Sequence, residues 1–137
     1  MTDETPGPLP VRLVLDSSAI AAWVRGSPAV GELLAEIDRE GGLVVVPLTC
    51  LLQASAQIKT DREWLYLLLE HPATQVVSDD PDDWEMLSSA ITLLGAADLA
   101  SAGWLALECG VDVLTRHAEL YAGLADGNVA LQIEEDY

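Results

Sequence analysis

The stretch Val11-Arg12-Leu13-Val14-Leu15, followed at once by Asp16-Ser17-Ser18, decides how this chain begins to fold. A run that is apolar except for Arg12 is typical of a strand buried on both faces of a parallel sheet. The small polar residues after it end the strand and predict a turn. Ser18 then stands where a helix N-cap is expected, before the helix predicted over Ala19–Val24. The chain therefore opens with a buried strand that leads directly into a helix.

The rest of the chain repeats this alternation of strand and helix. Short apolar runs are separated by segments whose apolar residues have helical spacing. This alternation indicates a parallel sheet with helices on both faces, and we predict a three-layer α/β/α domain with a five-stranded, mostly parallel sheet. The further strands are predicted at Leu43–Val46, Gln75–Val77, Val111–Thr115 and Val129–Ile133. One further helix begins at Ser27-Pro28, the next carries Leu48 on its apolar face, another is capped by Asp61, and a fourth is introduced by the acidic run Asp79–Asp83. The last two helices cover Leu99–Glu108, after Asp98, and Ala118–Leu124.

The apolar positions at helical spacing predict which face of each helix is buried. Three of these predicted core faces are tested by the structure below. They are Leu48, Leu51, Leu52, Ser55 and Ile58 in one helix, Trp64, Leu65, Leu67 and Leu68 in the next, and Trp84, Leu87, Ile91 and Leu94 in the third.

The length and composition are those of one globular domain. The 137 residues are 50% hydrophobic, and we expect a loose acidic tail over residues 1–10 and a single domain over 11–137. No apolar run reaches the roughly 18 residues of a membrane-spanning helix, and residues 1–10 lack the pattern of a secretory signal. Cys50 and Cys109 lie in apolar surroundings and make no disulfide framework. The prediction is a cytoplasmic protein with buried, reduced cysteines and no membrane partner.

The charge balance narrows the class of partner. Six Lys and Arg residues face 23 Asp and Glu residues, which gives a formal net charge of −17. A protein that binds nucleic acid through the phosphate backbone normally carries a basic face. The charge therefore disfavours tight, non-specific binding of RNA or DNA and favours a basic partner.

Several common sites are excluded by their missing motifs. The chain has no GxGxxG, GxxxxGK[ST], GxSxG or HExxH segment. A phosphorylated receiver domain needs an acidic pair after the first strand and a lysine after the last, but Asp16 is single and the only lysine, Lys59, lies in a predicted helix. A haloacid-dehalogenase site needs a second aspartate in the Asp16-Ser17-Ser18 turn. Polar residues at strand ends remain as site candidates, because ligands bind beyond the carboxyl ends of parallel strands.

Three segments, in this order and spacing, resemble the PIN domain, the nuclease fold of the toxin in many bacterial toxin–antitoxin pairs. Val14–Ile20 is similar to the opening strand of that family, in which the aspartate, here Asp16, is a metal ligand. Ala97–Ala102, with Asp98, is similar to the acidic start of a later helix, and Gly110–Arg116 to the fourth strand. The resemblance covers about residues 11 to 133. It implies a ribonuclease that holds Mg²⁺ or Mn²⁺ with four carboxylates.

Two of those four carboxylates are missing. Where the family has a glutamate after the second strand, this chain has Gln53, and where it has an aspartate after the fourth strand, this chain has His117. The resemblance thus leaves Asp16 and Asp98 as catalytic and metal-binding residues, with a site charge of −2 in place of −4. Mg²⁺ prefers hard oxygen ligands, and two carboxylates hold it weakly. The residues that could support such a site are Ser18, Thr115, Arg116 and Glu119, of which Glu119 is the best substitute acid.

Bland interpretations of the same residues stay open. Asp98 could be an N-cap, Gln53 a neutral remnant hydrogen-bonded to Asp16 or Asp98, and His117 a structural or surface histidine. Three functions follow. The first is a protein of toxin–antitoxin ancestry that has lost efficient catalysis and binds a partner such as a basic antitoxin-like protein. The second is an active Mg²⁺- or Mn²⁺-dependent endoribonuclease that uses Asp16 and Asp98. The third is a structural or oligomerisation module, and the resemblance also allows a homodimer.

Overall fold

The computed structural model describes residues 9–134, which form one five-stranded sheet in the order β3-β2-β1-β4-β5. Every neighbouring pair of strands is parallel. The predicted α/β architecture is therefore confirmed, and its sheet is parallel throughout. The tail predicted over residues 1–10 lies outside the described residues except for Leu9 and Pro10. The strands are β1 (Val11–Leu15), β2 (Leu43–Pro47), β3 (Thr74–Val77), β4 (Asp112–Thr115) and β5 (Ala130–Gln132).

Helices cover both faces of this sheet. The chain moves outward from β1 to β2 and β3, then returns across the sheet to β4 on the other side of β1. Because such crossovers are right-handed, the helices before β3 and those after it cover opposite faces. The helices are α1 (Ser17–Val24), α2 (Pro28–Arg39), α3 (Leu48–Gln57), α4 (Glu63–Glu70), α5 (Trp84–Leu94) and α6 (Ala97–Cys109), and short 3-10 turns span Pro81–Asp83, Ala118–Tyr121 and Ala125–Gly127.

The core lies on the central strands. Leu13, Val14 and Leu15 of β1 are buried, as the continuous apolar run predicts for a strand covered on both faces. Helix α6 packs against β1, β2 and β4, and α5 packs on α6. Among the described residues no single helix is long and apolar enough to span a membrane, although the bent pair Pro81–Leu94 and Ala97–Cys109, at 117°, passes a test of length and composition.

The first helix begins two residues earlier than predicted. Asp16, and not Ser18, is the N-cap, because the Asp16 carboxylate accepts the backbone N–H of Ala19 at 3.0 Å. The Ser18 hydroxyl instead donates to that same carboxylate at 2.7 Å. The prediction of a Ser18 cap was wrong because two residues of the turn offer cap oxygens, and the aspartate oxygen is the one aimed at the helix.

Three predicted core faces were also partly wrong. Large residues expected to be buried are exposed: Leu48 and Leu52 on α3, Trp64 and Leu67 on α4, and Trp84 and Ile91 on α5. On α3 and α5 small residues are buried instead, because small side chains let helices approach closely and then fill the interface themselves. On α4 two of the predicted leucines are buried. The buried residues are Cys50 and Ala54 of α3, Leu65 and Leu68 of α4, and Ala90 and Leu94 of α5.

Two further expectations were wrong. Cys109 is exposed, at the C-terminus of α6, whereas Cys50 is buried as expected. The helix predicted over Ala118–Leu124 is a 3-10 turn that ends at Tyr121, followed by a second short turn. Ala125 and Asp126 have φ values of 50° and 55°, which a continuing right-handed helix does not allow.

Gly103 marks a close approach between α6 and the segment after β4. A Cβ at this buried glycine would lie 2.6 Å from Cδ2 of Leu124 and 3.8 Å from Cδ1 of Tyr121. We expect Gly103→Val to lower the free energy of unfolding by about 1–3 kcal/mol, because the added methyl groups overpack this contact. Urea denaturation measures the change. As a control, Gly31→Ala in α2, where only a Trp23 ring atom lies near at 3.9 Å, should be neutral or stabilising; equal losses in both variants would contradict the prediction.

Candidate functional site

The candidate site lies at the carboxyl ends of β1 and β4, the two neighbouring strands on either side of which the chain adds its other strands in opposite directions. Asp16 follows β1, and residues 115–117 end and follow β4. Strands β1 and β4 are neighbours, with Leu15 paired to Leu114. This switch point is where parallel sheets leave a crevice for ligands. The first turn of α6 adds Asp98, and the first turn of α1 adds Ser17 and Ser18.

Asp16 is buried and accepts three hydrogen bonds from donors of the protein itself. Its side chain is only 2% exposed. Oδ1 accepts the Ser18 hydroxyl at 2.7 Å and the Ala19 N–H at 3.0 Å, and Oδ2 accepts the Tyr121 hydroxyl at 2.8 Å. Three donors stabilise the carboxylate where it is almost completely buried. Asp16 therefore has a structural role in this fold, whatever else it does.

Ser18 and Thr115 extend this network across the gap between β1 and β4. The Ser18 hydroxyl donates its one proton to Asp16, so the Thr115 hydroxyl, 3.2 Å away, donates to Ser18. Ser18 Oγ also accepts the N–H of Arg116, and Thr115 Oγ1 accepts the N–H of His117. The two hydroxyls thereby satisfy backbone groups at the end of β4 and hold this end against Asp16.

Tyr121 is a site residue that sequence analysis missed. Its side chain is completely buried, and its phenol is the donor to Asp16 Oδ2. Burial, followed by the charge of Asp16, raises the pKa of Tyr121, so the phenol stays a neutral donor. Tyr121 ends a 3-10 turn of four residues, which is too short for apolar periodicity to indicate a buried side chain. Its one sequence signal is that it is the only aromatic residue after β4 within the described residues.

Asp98 lies beside this network on α6. The N-cap of α6 is Ala96, so the interpretation of Asp98 as an N-cap was wrong. Asp98 stands instead in the first turn, where the helix dipole favours a negative charge. Its Oδ2 accepts the Ser17 hydroxyl at 2.8 Å. Ser17 and Ser18, neighbours in sequence, thus donate to Asp98 and Asp16 respectively.

The buried thiol of Cys50 lies near both Asp16 and Asp98. Its thiol donates to the backbone carbonyl of Asp98 at 3.2 Å. Burial raises the pKa of Cys50, and the charges of Asp16 and Asp98 raise it further. The thiol is therefore protonated, as a buried cysteine between two carboxylates should be. The structure brings Asp16 and Asp98 to the same site, as the resemblance implied.

Gln53 and His117 are both exposed, and both line a cleft together with Asp98. Gln53 is exposed on α3 and, within residues 9–134, makes no hydrogen bond to Asp16 or Asp98, so the expected bond was wrong. The His117 side chain is 55% exposed, with Nδ1 3.8 Å from Oε2 of Glu119. Glu119 is thus directed to His117 and does not line the cleft described next. His117 is a surface histidine.

These residues border an open cleft of about 470 Å³, the central cleft. Asp98 is its only acidic lining residue, and Arg25 and Arg116 also line it. A neighbouring cleft of about 300 Å³ shares Arg25 and adds Lys59. Three of the six Lys and Arg residues of the chain therefore lie along these two clefts. The full lining of the central cleft is Ser17, Ser18, Ala21, Arg25, Gln53, Gln57, Asp98, Arg116 and His117.

The donor set does not fit the ion centre that the resemblance implies. The described residues contain no group of three or more His, Cys, Asp or Glu side chains placed to hold one ion. A carboxylate offers about four lone-pair directions, and hydrogen-bond donors already occupy three of the four on Asp16. A second ion, which would stabilise attacking and leaving oxygens together, lacks ligands. A single Mg²⁺ would depend on Asp98, the remaining lone pair of Asp16 and oxygens from substrate or water.

Comparison with known proteins supports the fold. Neither a protein-family model nor a curated protein matches the sequence. Among solved structures, the crystal structure of PAE2754 from Pyrobaculum aerophilum is similar, with a TM-score of 0.64 and 17% sequence identity over 92% of this chain and 93% of that chain. At this identity the likeness shows that the two chains share their architecture over nearly their whole lengths.

Proposed function

We propose that this chain is a PIN-like domain of ribonuclease and toxin–antitoxin ancestry that has lost efficient RNA cleavage and acts by binding a partner protein. The observation that carries the proposal is the state of Asp16. Where a metal ligand would present free oxygens, Asp16 accepts hydrogen bonds from Ser18, Ala19 and Tyr121. Its charge is stabilised by the protein alone.

The two substituted positions support the same conclusion. Gln53 and His117 carry no carboxylate, and both side chains are exposed at the border of the central cleft. With two of four charges gone, the attraction for a divalent cation falls, since each carboxylate contributes both charge and a hard oxygen. The partner fits the overall charge of −17, which attracts a basic protein of the antitoxin type over long distances.

One observation favours a second candidate, an active endoribonuclease that uses Asp16 and Asp98. Arg25, Arg116 and Lys59 lie along the central cleft and its neighbour, in a chain with few other cations. Such residues suit the phosphates of an RNA backbone. The central cleft is therefore less acidic than the molecule as a whole, which counteracts the overall repulsion of RNA.

RNA cleavage distinguishes the two candidates. A mixed RNA substrate is incubated with Mg²⁺ or Mn²⁺ and with the wild-type protein, Asp16→Asn, or the double variant Gln53→Glu/His117→Asp. We expect the wild type to cut no faster than Asp16→Asn, and the double variant, with four carboxylates, to cut at least about tenfold faster than either. The matched control is Gln57→Glu, which adds a charge to the same cleft at another position.

Each outcome has a definite meaning. Wild-type cleavage that Asp16→Asn abolishes, in a variant that remains folded by circular dichroism, would show that the site cuts RNA with the Asp16 carboxylate, and the nuclease would replace our proposal. Equal gains in Gln57→Glu and the double variant would show that added charge alone, and not the restored positions, acts on the RNA. If the wild type neither cuts RNA nor retains a protein partner when it is isolated from its own cells, both candidates fail. The third hypothesis, a structural or oligomerisation module, then replaces them.

A further inference from the structure

Helix α5 is apolar beyond what its packing uses. Its packing on α6 buries only Ala90 and Leu94. Trp84 remains 66% exposed and Ile91 40% exposed, and the two lie seven residues apart, on the same side of the helix. Half-buried Leu87 lies between them on this flank. A helix with apolar surface outside its packed face is typical of one that another molecule covers.

An acidic groove begins where this flank begins. Asp79, Asp80, Asp83 and Glu108 line a groove of about 220 Å³ together with the ring of Trp104. Asp83 precedes α5 directly and accepts the Trp104 indole N–H at 3.3 Å. The lining of this groove contains no Lys or Arg. Desolvation, followed by repulsion from the three aspartates, raises the pKa of Glu108. A cation in the groove would relieve this repulsion.

The charges of the chain are segregated around this face. Residues 63–115, which include β3, α5 and α6, contain ten Asp and Glu residues and neither Lys nor Arg. A second copy of the chain that docked through the same face would place acid against acid. Anionic membranes are disfavoured for the same reason. Charge complementarity therefore selects a basic occupant, and the apolar flank selects one with an apolar side.

We propose that the flank of α5 that bears Trp84, Leu87 and Ile91, with the acidic groove at its N-terminal end, docks a basic amphipathic segment of a partner protein. The apolar side chains of that segment cover Trp84 and Ile91, and a Lys or Arg enters the groove beside Trp104 and Glu108. Such a surface combines an aromatic anchor that the partner covers with charged groups at its rim. The inference deepens the proposed function by locating the surface that binds the partner. It rests on the proposed function in one respect, namely that the protein acts by binding a partner protein.

Peptide binding to the full chain tests this surface. The probe is a labelled amphipathic peptide of about 18 residues, made of leucine and lysine at helical spacing, and its counterpart has glutamate in place of lysine. Fluorescence anisotropy should give at least about tenfold tighter binding of the lysine peptide, weakened by salt. We expect Trp84→Ala to weaken binding about tenfold, Ile91→Ser by a similar factor and Glu108→Gln about threefold.

Matched controls separate this surface from general attraction. Tyr66→Ala removes an aromatic residue of nearly equal exposure, 64%, from α4, and Glu36→Gln removes an exposed acid from α2; both should change binding less than about twofold. Equal effects of Trp84→Ala and Tyr66→Ala, or equal binding of the two peptides, would overturn the proposal. It would also be overturned if the protein bound neither peptide, formed a dimer that depends on Trp84, or bound phosphatidylcholine vesicles in preference to the lysine peptide. Since the assay uses neither RNA nor metal, its failure leaves the cleavage result standing, and the reverse also holds.

Discussion

Replacing Asp16 by alanine is expected to lower the free energy of unfolding by about 3–5 kcal/mol, measured by urea denaturation. The substitution leaves the hydroxyls of Ser18 and Tyr121 and the N–H of Ala19 without their acceptor, in a place that is 2% exposed. It also removes the N-cap of α1, which alone is worth about 1 kcal/mol. Each buried donor that loses its partner bears its full desolvation cost.

The control is Asp98→Ala. Asp98 is only half-buried and accepts one side-chain hydrogen bond, from Ser17, so we expect a loss of about 1 kcal/mol. The comparison is informative about function as well as stability. In a site where carboxylates repel one another until a cation binds, removal of one of them stabilises the metal-free protein. A stability of Asp16→Ala equal to or above that of the wild type would therefore contradict our account of Asp16.

The protein is expected to lose about 4 kcal/mol of stability between pH 9 and pH 11. Burial raises the pKa of Cys50 from its ordinary 9.0 and the pKa of Tyr121 from its ordinary 10.0. Above these ordinary values the unfolded chain releases protons that the folded chain keeps. Unfolding is then favoured by about 1.4 kcal/mol per pH unit for each group, so stability falls as pH rises.

Variants assign this slope to the two groups. Cys50→Ala should remove its part of the slope above pH 9, and Tyr121→Phe its part above pH 10, whatever each does to stability at pH 7. Cys109→Ala, at an exposed thiol, should leave most of the slope in place. Urea denaturation at a series of pH values provides the measurement. A wild type whose stability is constant from pH 8 to pH 11 would show that these groups titrate normally in the folded protein.

The candidate site was only partly predictable. Asp16 and residues 115–117 could be placed because the ends of parallel strands meet at one edge, whatever the side chains elsewhere do. Tyr121 could not, because its burial depends on a 3-10 turn that packs against β5 and α6 and brings its hydroxyl to Asp16. The absence of a hydrogen bond from Gln53 to Asp16 or Asp98 could not be predicted from the sequence either. Gln53 is exposed because α3 packs with Cys50 and Ala54 toward the core, and this orientation of the helix is set by tertiary contacts.

The sequence by itself determined the architecture, the strand ends and the charge. These depend on local patterns: continuous apolar runs, polar residues at strand ends, glycines after helices, and the balance of acids over bases. Tertiary structure decided which face of α3, α4 and α5 is buried, and it brought Tyr121 to Asp16. The physical reason is that the buried face of a helix depends on which neighbours it packs against and how closely, and periodicity alone does not reveal those contacts. The exposed flank of α5, with Trp84 and Ile91, is the consequence.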